Sequence, residues 1–190
     1  MAKIESNLKT MVLSLLIVCT VVATLLGFIN QLTQGPIAAS KLKAKLSAIQ
    51  QVVPEFNNNP SEEMYTLESD LGELECFPAR QDSVLVGTAI SSLTNIGFSG
   101  IFTVMVGLDP NGVIINTSVL EHKETPGLGS KLLEPKFKDQ FPGKNPETNV
   151  IKTTKDGGEI DAITAATISS RAFCDAVMRA WEAYRQQEVQ

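Results

Sequence analysis

IFTVMVGLDPNGVIINTSVL, residues 101–120, contains two short runs rich in β-branched side chains, Ile101–Leu108 and Val113–Leu120. Such runs are typical of β-strands. The four residues between them, 109–112 (Asp-Pro-Asn-Gly), readily form a tight turn. This segment therefore predicts an antiparallel hairpin and makes a sheet the basis of the fold.

Three further segments have the strand pattern: Val84–Ile90, Asn149–Thr154 and Glu159–Ile163. The last two are joined by residues 155–158 (Lys-Asp-Gly-Gly), which predicts a second antiparallel hairpin. The chain closes with apolar side chains at helical spacing, which we expect to be core residues rather than cofactor contacts. They are Ile168, Ala172, Phe173, Ala176, Val177, Ala180, Trp181 and Tyr184. We predict an α+β fold in which helices cover an antiparallel sheet.

The apolar residues are concentrated near the N-terminus. No charged residue lies between Lys9 and Lys41, and fifteen of the nineteen residues in 11–29 are apolar. A helix of about 20 such residues crosses the hydrocarbon layer of a membrane. A cleavable signal peptide is the alternative, but its apolar region usually has only about 7 to 15 residues and ends at a small-residue cleavage site. We expect an uncleaved transmembrane helix at residues 11–32.

The other boundaries follow from this span. Residues 1–10 form a short N-terminus, 33–82 a stalk or helical connecting region, and 83–190 the globular domain. The positive charges flanking the span do not settle its orientation. Because large domains can be translocated whatever their charge, we expect the N-terminus in the cytoplasm and the globular domain outside it.

The connecting region begins with a helical pattern. Leu42, Leu46, Ile49 and Val53 recur at spacings of three and four, and Pro54 then ends the helix. This helix either lifts the globular part off the membrane as a stalk or packs on it as a surface helix. The following segment, 55–82, has eight acidic residues and a single base, which is typical of a solvated face.

Composition and motifs exclude several functions. The formal net charge of −5 disfavours nucleic acid as a partner. The chain has no C-x-x-C, no C-x-x-C-H and no G-x-G-x-x-G, and residues 127–131 lack the spacing of a P-loop. The sequence signals for thioredoxin-like chemistry, c-type haem attachment, cysteine-ligated metal sites, nucleotide hydrolysis and a dinucleotide fold are therefore missing, and we assign no catalytic and no metal-ligating residue. Cys76 and Cys174 could pair in an oxidising compartment, but we expect two buried thiols.

The hydroxyl-rich segment 161–171 (DAITAATISSR) lies where the last predicted strand meets the last helix. The first turn of a helix has unpaired N–H groups and the positive end of the helix dipole, which together favour a phosphate. Thr167 or Ser169 could hold one there. In the alternative interpretation, Thr164, Ser169 or Ser170 only caps the helix.

A second segment, 121–131 (EHKETPGLGSK), follows the third predicted strand. Its glycines allow the backbone to approach a ligand closely. His122 could transfer protons near neutral pH, but we expect an ordinary histidine at the surface or at the strand end.

Residues 161–170 resemble the S/T-G-A-T-x-T/S motif of an FMN-binding domain. That domain occurs in the G subunit of the Rnf electron-transport complex and in the C subunit of the sodium-pumping NADH:quinone reductase. Residues 124–129 (Glu-Thr-Pro-Gly-Leu-Gly) look like the E-T-P-G-L-G loop of that family, which lies beside the flavin. Residues 97–101 (Gly-Phe-Ser-Gly-Ile) are similar to its G-Y/F-x-G segment. Three ordered motifs and an N-terminal span form a specific combination.

The resemblance implies that 83–190 is an FMN-binding domain and that FMN is esterified through its phosphate to Thr167, the second threonine of the motif. It implies cofactor-binding residues in both loops: Glu124, Thr125, Gly127, Leu128, Gly129, Thr164, Ala165, Ala166 and Ser169. Because a threonine hydroxyl is a weak nucleophile, it also implies a separate magnesium-dependent flavin transferase that uses FAD. Glu124 and Lys131 either bias the flavin potential or are solvated loop charges.

The resemblance further implies a membrane-anchored electron-transfer flavoprotein, one of the subunits of an Rnf-type ion-translocating ferredoxin:NAD oxidoreductase. Its partners would be other membrane subunits, its location the bacterial cytoplasmic (inner) membrane, and its flavin domain would lie on the periplasmic side. The C subunit of the quinone reductase is the alternative within this class. A membrane-tethered binding or assembly module without flavin is the alternative outside it, and Ala165 keeps it open. The motif has glycine at that position, so a positive φ would strain an alanine there.

Overall fold

A computed structural model describes residues 7–188 and divides the chain into two compact units, 1–43 and 44–190. Residues 1–6 of the predicted cytoplasmic N-terminus lie outside the described residues. The elements are α1 (Leu8–Val52), β1 (Tyr65–Ser69), β2 (Gly72–Gln81), β3 (Val84–Gly97), β4 (Gly100–Leu108), β5 (Ile114–Glu121), α2 (Pro135–Lys138) and α3 (Thr167–Glu188). Two 3-10 helices, Gly129–Leu133 and Thr154–Asp156, lie in the loops.

Helix α1 has the length and composition of a membrane span. Its most apolar 18-residue window has a mean hydropathy of 2.7, and none of that window is buried within the protein. The polar side chains in this part bond within the helix. Thr20 donates to the Leu16 carbonyl and Thr24 to the Thr20 carbonyl. Polar groups satisfied in this way are compatible with a hydrocarbon environment.

The C-terminal end of α1 packs on the globular unit. Ala48, Ile49 and Val52 are buried against apolar side chains on one face of the sheet, whereas Leu46 remains exposed. A Cβ at Gly107 would lie 1.8 Å from the Val52 carbonyl oxygen, so helix and sheet approach at a point where only glycine fits. This helix was expected to be either a stalk or a surface helix packed on the domain. Its last two turns follow the second alternative, because they pack on the domain.

The sheet is an antiparallel meander in the order β1-β2-β3-β4-β5. Its second face is covered by α3, by α2 and by the 3-10 helix Gly129–Leu133. The centre of this layer is aromatic, because the ring of Phe173 in α3 lies 4.7 Å from that of Phe141 and 5.2 Å from that of Phe137. The α+β fold with an antiparallel sheet covered by helices is therefore confirmed. Within the helical stripe, Phe173, Ala176, Val177 and Ala180 are buried, whereas Ile168 is exposed.

Two strand predictions differ from the structure. The hairpin predicted over 149–163 is wrong, because this segment makes only a single parallel bridge, Thr153 to Ile160, around a 3-10 turn. Gly158 lies so close to Lys152 that a Cβ would come 2.1 Å from its carbonyl oxygen, and its N–H donates to the Thr153 carbonyl, so the segment closes into a tight loop. Conversely, β1 and β2 lie in the predicted connecting region, where no strand was expected. The domain boundary at residue 83 stays a prediction.

Cys76 and Cys174 are both buried free thiols, as expected. Burial raises the pKa of each to about 12. Only the thiolate reacts with alkylating reagents, and at pH 8 a thiol with that pKa is ionised in roughly one molecule in ten thousand.

In a Cys19→Ser chain, we expect iodoacetamide at pH 8 to leave Cys76 and Cys174 unmodified in the folded protein and to modify both in concentrated urea. Peptide mass spectrometry measures both states. Rapid modification of either thiol in the folded protein, or a disulfide between them, would contradict the burial seen here.

Candidate functional site

The three motifs meet at the carboxylate of Glu124, which is only 6% exposed. Ser169 in the first turn of α3 donates its hydroxyl to Glu124 Oε2 at 2.7 Å. The backbone N–H of Ser99, in the β3–β4 turn, donates to Glu124 Oε1 at 3.4 Å. A buried carboxylate is tolerated when it accepts such hydrogen bonds. Glu124 therefore joins segments that lie 25 and 45 residues away in sequence.

Two glycines make room for this carboxylate. A Cβ at Gly129 would lie 2.6 Å from Glu124 Cβ and 2.7 Å from Oε2. A Cβ at Gly97 would lie 3.1 Å from Glu124 Oε1 and 2.4 Å from the Gly100 carbonyl oxygen. A side chain at either position would displace Glu124 or the backbone, so the space around Glu124 requires glycine at both positions.

The motif before α3 forms a tight turn. The Ala166 N–H donates to the Ile163 carbonyl at 3.0 Å, and Ala165, the third residue of the turn, has φ +64°. This is the left-handed region that type II turns require at that position and that favours glycine. The strain anticipated for Ala165 is therefore present. Ser170 secures the turn, since its hydroxyl accepts from the Ile163 N–H and donates to the Ala166 carbonyl.

Thr167 is the first residue of α3 and is partly exposed. The residue before it, Ala166, has no side-chain group that could cap the helix. The first hydrogen bond at this end runs from the Ser170 N–H to the Ala166 carbonyl, so the earlier N–H groups point out of the helix end. Lys155 donates from Nζ to Thr167 Oγ1 at 3.2 Å. The hydroxyl thus lies beside a cation and at the positive end of the helix dipole.

A bidentate ion pair ties the Lys155 loop to α3. Arg171 donates from Nε and from a terminal nitrogen to the two carboxylate oxygens of Asp156, at 2.8 and 2.7 Å. Asp156 also accepts the hydroxyl of Thr153. The hydrogen bonds from Arg171 and then Thr153 lower the pKa of Asp156 to about 2, so its carboxylate is ionised at neutral pH.

The Glu-Thr-Pro-Gly-Leu-Gly loop presents its middle to solvent. Thr125, Gly127 and Leu128 are exposed, whereas Gly129 is buried. Gly127 has φ +79°, and its N–H donates to the hydroxyl of Ser130 at 2.8 Å. The loop therefore has a defined shape while its backbone remains accessible from one side.

A cavity of about 320 Å³ lies between this loop region and the turn before α3. It is lined by cationic, acidic, aromatic and hydroxyl side chains, which could contact both charged and flat parts of a ligand. The lining residues are Lys131, Glu134, Lys136, Phe137, Gln140, Asp161, Ala162, Ile163 and Thr164.

Not every predicted residue has the position expected for it. Glu124 is buried, so the alternative of a solvated loop charge is wrong for it, whereas Lys131 is exposed. His122 directly follows β5 and accepts the Glu124 N–H at Nδ1, which is a structural role at the strand end. Sequence reasoning did not identify Lys155, because its approach to Thr167 depends on the shape of the intervening loop.

A sequence model described as the FMN-binding domain matches residues 97–182, a range that contains all three motifs. The G subunit of the ion-translocating oxidoreductase complex of Stutzerimonas stutzeri is 34% identical over 178 residues, which cover 90% of this chain and 78% of the relative. The G subunit of the Na(+)-translocating ferredoxin:NAD(+) oxidoreductase complex of Acetobacterium woodii is 31% identical, with 91% of this chain and 89% of the relative covered.

Among solved structures, the crystal structure of Shewanella oneidensis NqrC is similar with a TM-score of 0.51 and 18% sequence identity. The match covers 74% of each chain. At this identity the similarity shows a shared α+β fold.

Replacing Ala165 by glycine relieves a left-handed alanine. We expect Ala165→Gly to stabilise the chain by about 0.5–1 kcal/mol, because relief of strain exceeds the added entropy of the unfolded state. Thermal unfolding followed by the fluorescence of Trp181, the single tryptophan, measures this. The control Ala172→Gly, at a buried position inside α3, should destabilise by about 1–2 kcal/mol, because it lowers helix propensity and removes a buried methyl group. A destabilising Ala165→Gly would contradict the conformation of this turn.

The energy of the Ser169–Glu124 hydrogen bond can be measured by a double-mutant cycle. We expect Glu124→Gln and Ser169→Ala each to destabilise the protein and to show a coupling energy of about 1 kcal/mol, because glutamine leaves only a neutral acceptor for the hydroxyl and alanine removes the hydroxyl itself. Asn58→Ala, a change at a distant polar network, should combine additively with Glu124→Gln. Additive effects of Glu124→Gln and Ser169→Ala would show that the two side chains do not interact.

Proposed function

Because this chain belongs to the family of G subunits of ion-translocating oxidoreductase complexes and contains an FMN-binding domain, we propose that it is a membrane-anchored flavoprotein with FMN esterified to Thr167. When bound, FMN supplies the capacity to accept and donate electrons. The chain supplies the attachment point, the surroundings of the cofactor and the anchor. In this role it is an electron-carrying component of a complex rather than a stand-alone enzyme.

The observation that carries the proposal is the accessibility of Thr167 compared with its neighbours. Ser169 and Ser170 are buried, and their hydroxyls donate to Glu124 and to the Ala166 carbonyl. Thr164 is exposed but lies in the turn, outside the helix. Thr167 combines a partly exposed hydroxyl with the uncapped N-terminus of a 22-residue helix. This environment suits a phosphoryl group.

The attachment step is a phosphoryl transfer with FAD as the co-reactant. Thr167 Oγ1 forms a bond to the phosphorus of the FMN half of FAD, the pyrophosphate bond breaks, AMP leaves and the hydroxyl proton is released. The described residues place no histidine or carboxylate against Thr167 Oγ1 as a base. We therefore propose that a separate magnesium-dependent flavin transferase performs this step.

The other predicted site residues have distinct proposed roles. Glu124, Gly129 and Ser169 fix the two loops relative to each other. Thr125 and Gly127 offer exposed backbone, and Thr164, Ala165 and Ala166 shape the turn that presents Thr167. Leu128 and Ile168 are exposed large apolar side chains, each next to a residue that contacts Glu124. We propose that they cover apolar parts of the flavin and keep water away from it.

At the level of the complex, we propose that the chain passes electrons between partner subunits in the bacterial inner membrane. The name of the Acetobacterium woodii relative supports coupling of ferredoxin:NAD(+) electron transfer to ion movement. The apolar helix α1 supports a single-pass anchor. We propose that the flavin domain lies on the periplasmic side. The C subunit of the quinone reductase remains a second candidate because its fold is shared.

The other candidate function is a tethered module without flavin. Ala165 favours it, because this alanine has a left-handed backbone conformation at the position where the motif has glycine. Covalent flavin distinguishes it from the proposal. We expect the chain, co-expressed with an active transferase, to show flavin fluorescence on a denaturing gel. Thr167→Val should abolish this fluorescence, since it removes the acceptor oxygen with little change of shape.

The matched control is Thr154→Val, a change at an exposed threonine of the neighbouring loop, which should remain fluorescent. A dark wild-type chain, obtained with a transferase that labels another substrate, would contradict the proposal and favour the flavin-free module. A fluorescent Thr167→Val chain would place the linkage elsewhere.

A further inference from the structure

We propose that Lys155 is the charge partner of the phosphoryl group on Thr167, both while the ester forms and in the finished phosphodiester. This inference rests on the proposed attachment at Thr167. It assigns a role to a residue that lies outside all three motifs. The starting observation is the 3.2 Å contact from Lys155 Nζ to Thr167 Oγ1.

The contact joins a cation to the atom that would react. During transfer, Thr167 Oγ1 loses its proton and negative charge develops on the oxygen and on the phosphoryl group. A positioned ammonium stabilises such charge where it develops. In the product, a phosphodiester carries one negative charge next to the former hydroxyl oxygen, which remains within reach of the same ammonium.

The loop is built so that Lys155 stays in place. Its 3-10 turn is held by hydrogen bonds from the Thr154 N–H to the Ile160 carbonyl at 2.8 Å and from the Asp156 N–H to the Thr153 carbonyl at 2.8 Å. The residue after the turn, Gly157, has φ +79°, which closes the loop tightly. Arg171 then fixes Asp156, the neighbour of Lys155, to the second turn of α3.

The same ion pair determines which cation is available. Arg171 lies one turn beyond Thr167 on α3, but its guanidinium is bidentate with Asp156. Because this pair occupies the guanidinium, the cation that contacts the Thr167 hydroxyl is the Lys155 ammonium. The Lys155 ammonium and the N-terminal N–H groups of α3 therefore both place positive charge next to Thr167.

The experiment uses the full-length apoprotein in detergent, with purified transferase, Mg²⁺ and FAD. The initial rate of covalent labelling is measured by intact mass and by fluorescence on denaturing gels. We expect Lys155→Gln to be about fivefold slower at low salt, the size expected for one exposed charge pair. The difference should shrink to less than about twofold near 1 M salt, because the Debye length there is about 3 Å, close to the contact distance.

Two variants make the result specific. Lys155→Arg keeps the charge and should label at the wild-type rate. Lys152→Gln removes an exposed lysine from the same loop and should also behave as wild type. The salt dependence separates a charge effect from a structural one, because a damaged loop would stay slow in high salt.

The outcomes distinguish this inference from the proposal beneath it. If wild type and Lys155→Gln label equally fast at low salt, or if Lys152→Gln slows labelling as much, the role of Lys155 is overturned while Thr167 remains the acceptor. If Lys155→Gln is slower by a factor that salt does not change, the charge-partner role is likewise overturned. If the wild-type chain is not labelled by an active transferase, attachment at Thr167 itself fails.

Discussion

The hydrogen bond from Ser169 to the buried carboxylate of Glu124 is the contact on which the arrangement of the site depends. An unpartnered carboxylate at 6% exposure would cost several kcal/mol, so the donors must be held in place around it. Ser99 provides one donor and Ser169 the other. The need to satisfy this one charge therefore explains why the three motifs lie together.

The buried carboxylate also explains the small residues around it. Gly97 and Gly129 lie where any Cβ would collide with Glu124 or nearby backbone. With Glu124 fixed, Ser169 fixes the first turn of α3, and Thr167 is presented two residues earlier at the helix end. The attachment point is thus positioned by a residue that is not itself an acceptor. Electrostatics then adds to geometry, because the helix end and Lys155 both favour an anion at the Thr167 hydroxyl.

Much of the fold could be predicted because local patterns agree with the tertiary structure. The strands around 101–120 are rich in β-branched residues and are joined by strong turn residues, and they form β4 and β5. Strands β1 and β2 were missed because acidic side chains at their exposed positions, such as Glu68 and Glu73, dominate the sequence there. The segment 149–163 was mistaken for a hairpin, since β-branched content does not reveal a loop held by side-chain and single backbone contacts.

The residues of the site could be predicted only where they lie within a sequence motif. The helix-terminus argument named Thr167 and Ser169 as phosphate candidates, and the resemblance selected Thr167 for attachment and added Glu124. The structure brings Glu124 and Ser169 into contact. The burial of Glu124 could not be read from a loop rich in polar residues, and Lys155 approaches Thr167 through a loop whose shape no local pattern specifies. Attachment of FMN at Thr167 can be tested by peptide mass spectrometry of the protein isolated from its native membrane. We expect the peptide containing Thr167 to carry an FMN phosphoester on that residue, and an unmodified peptide in a chain without flavin elsewhere would contradict this attachment.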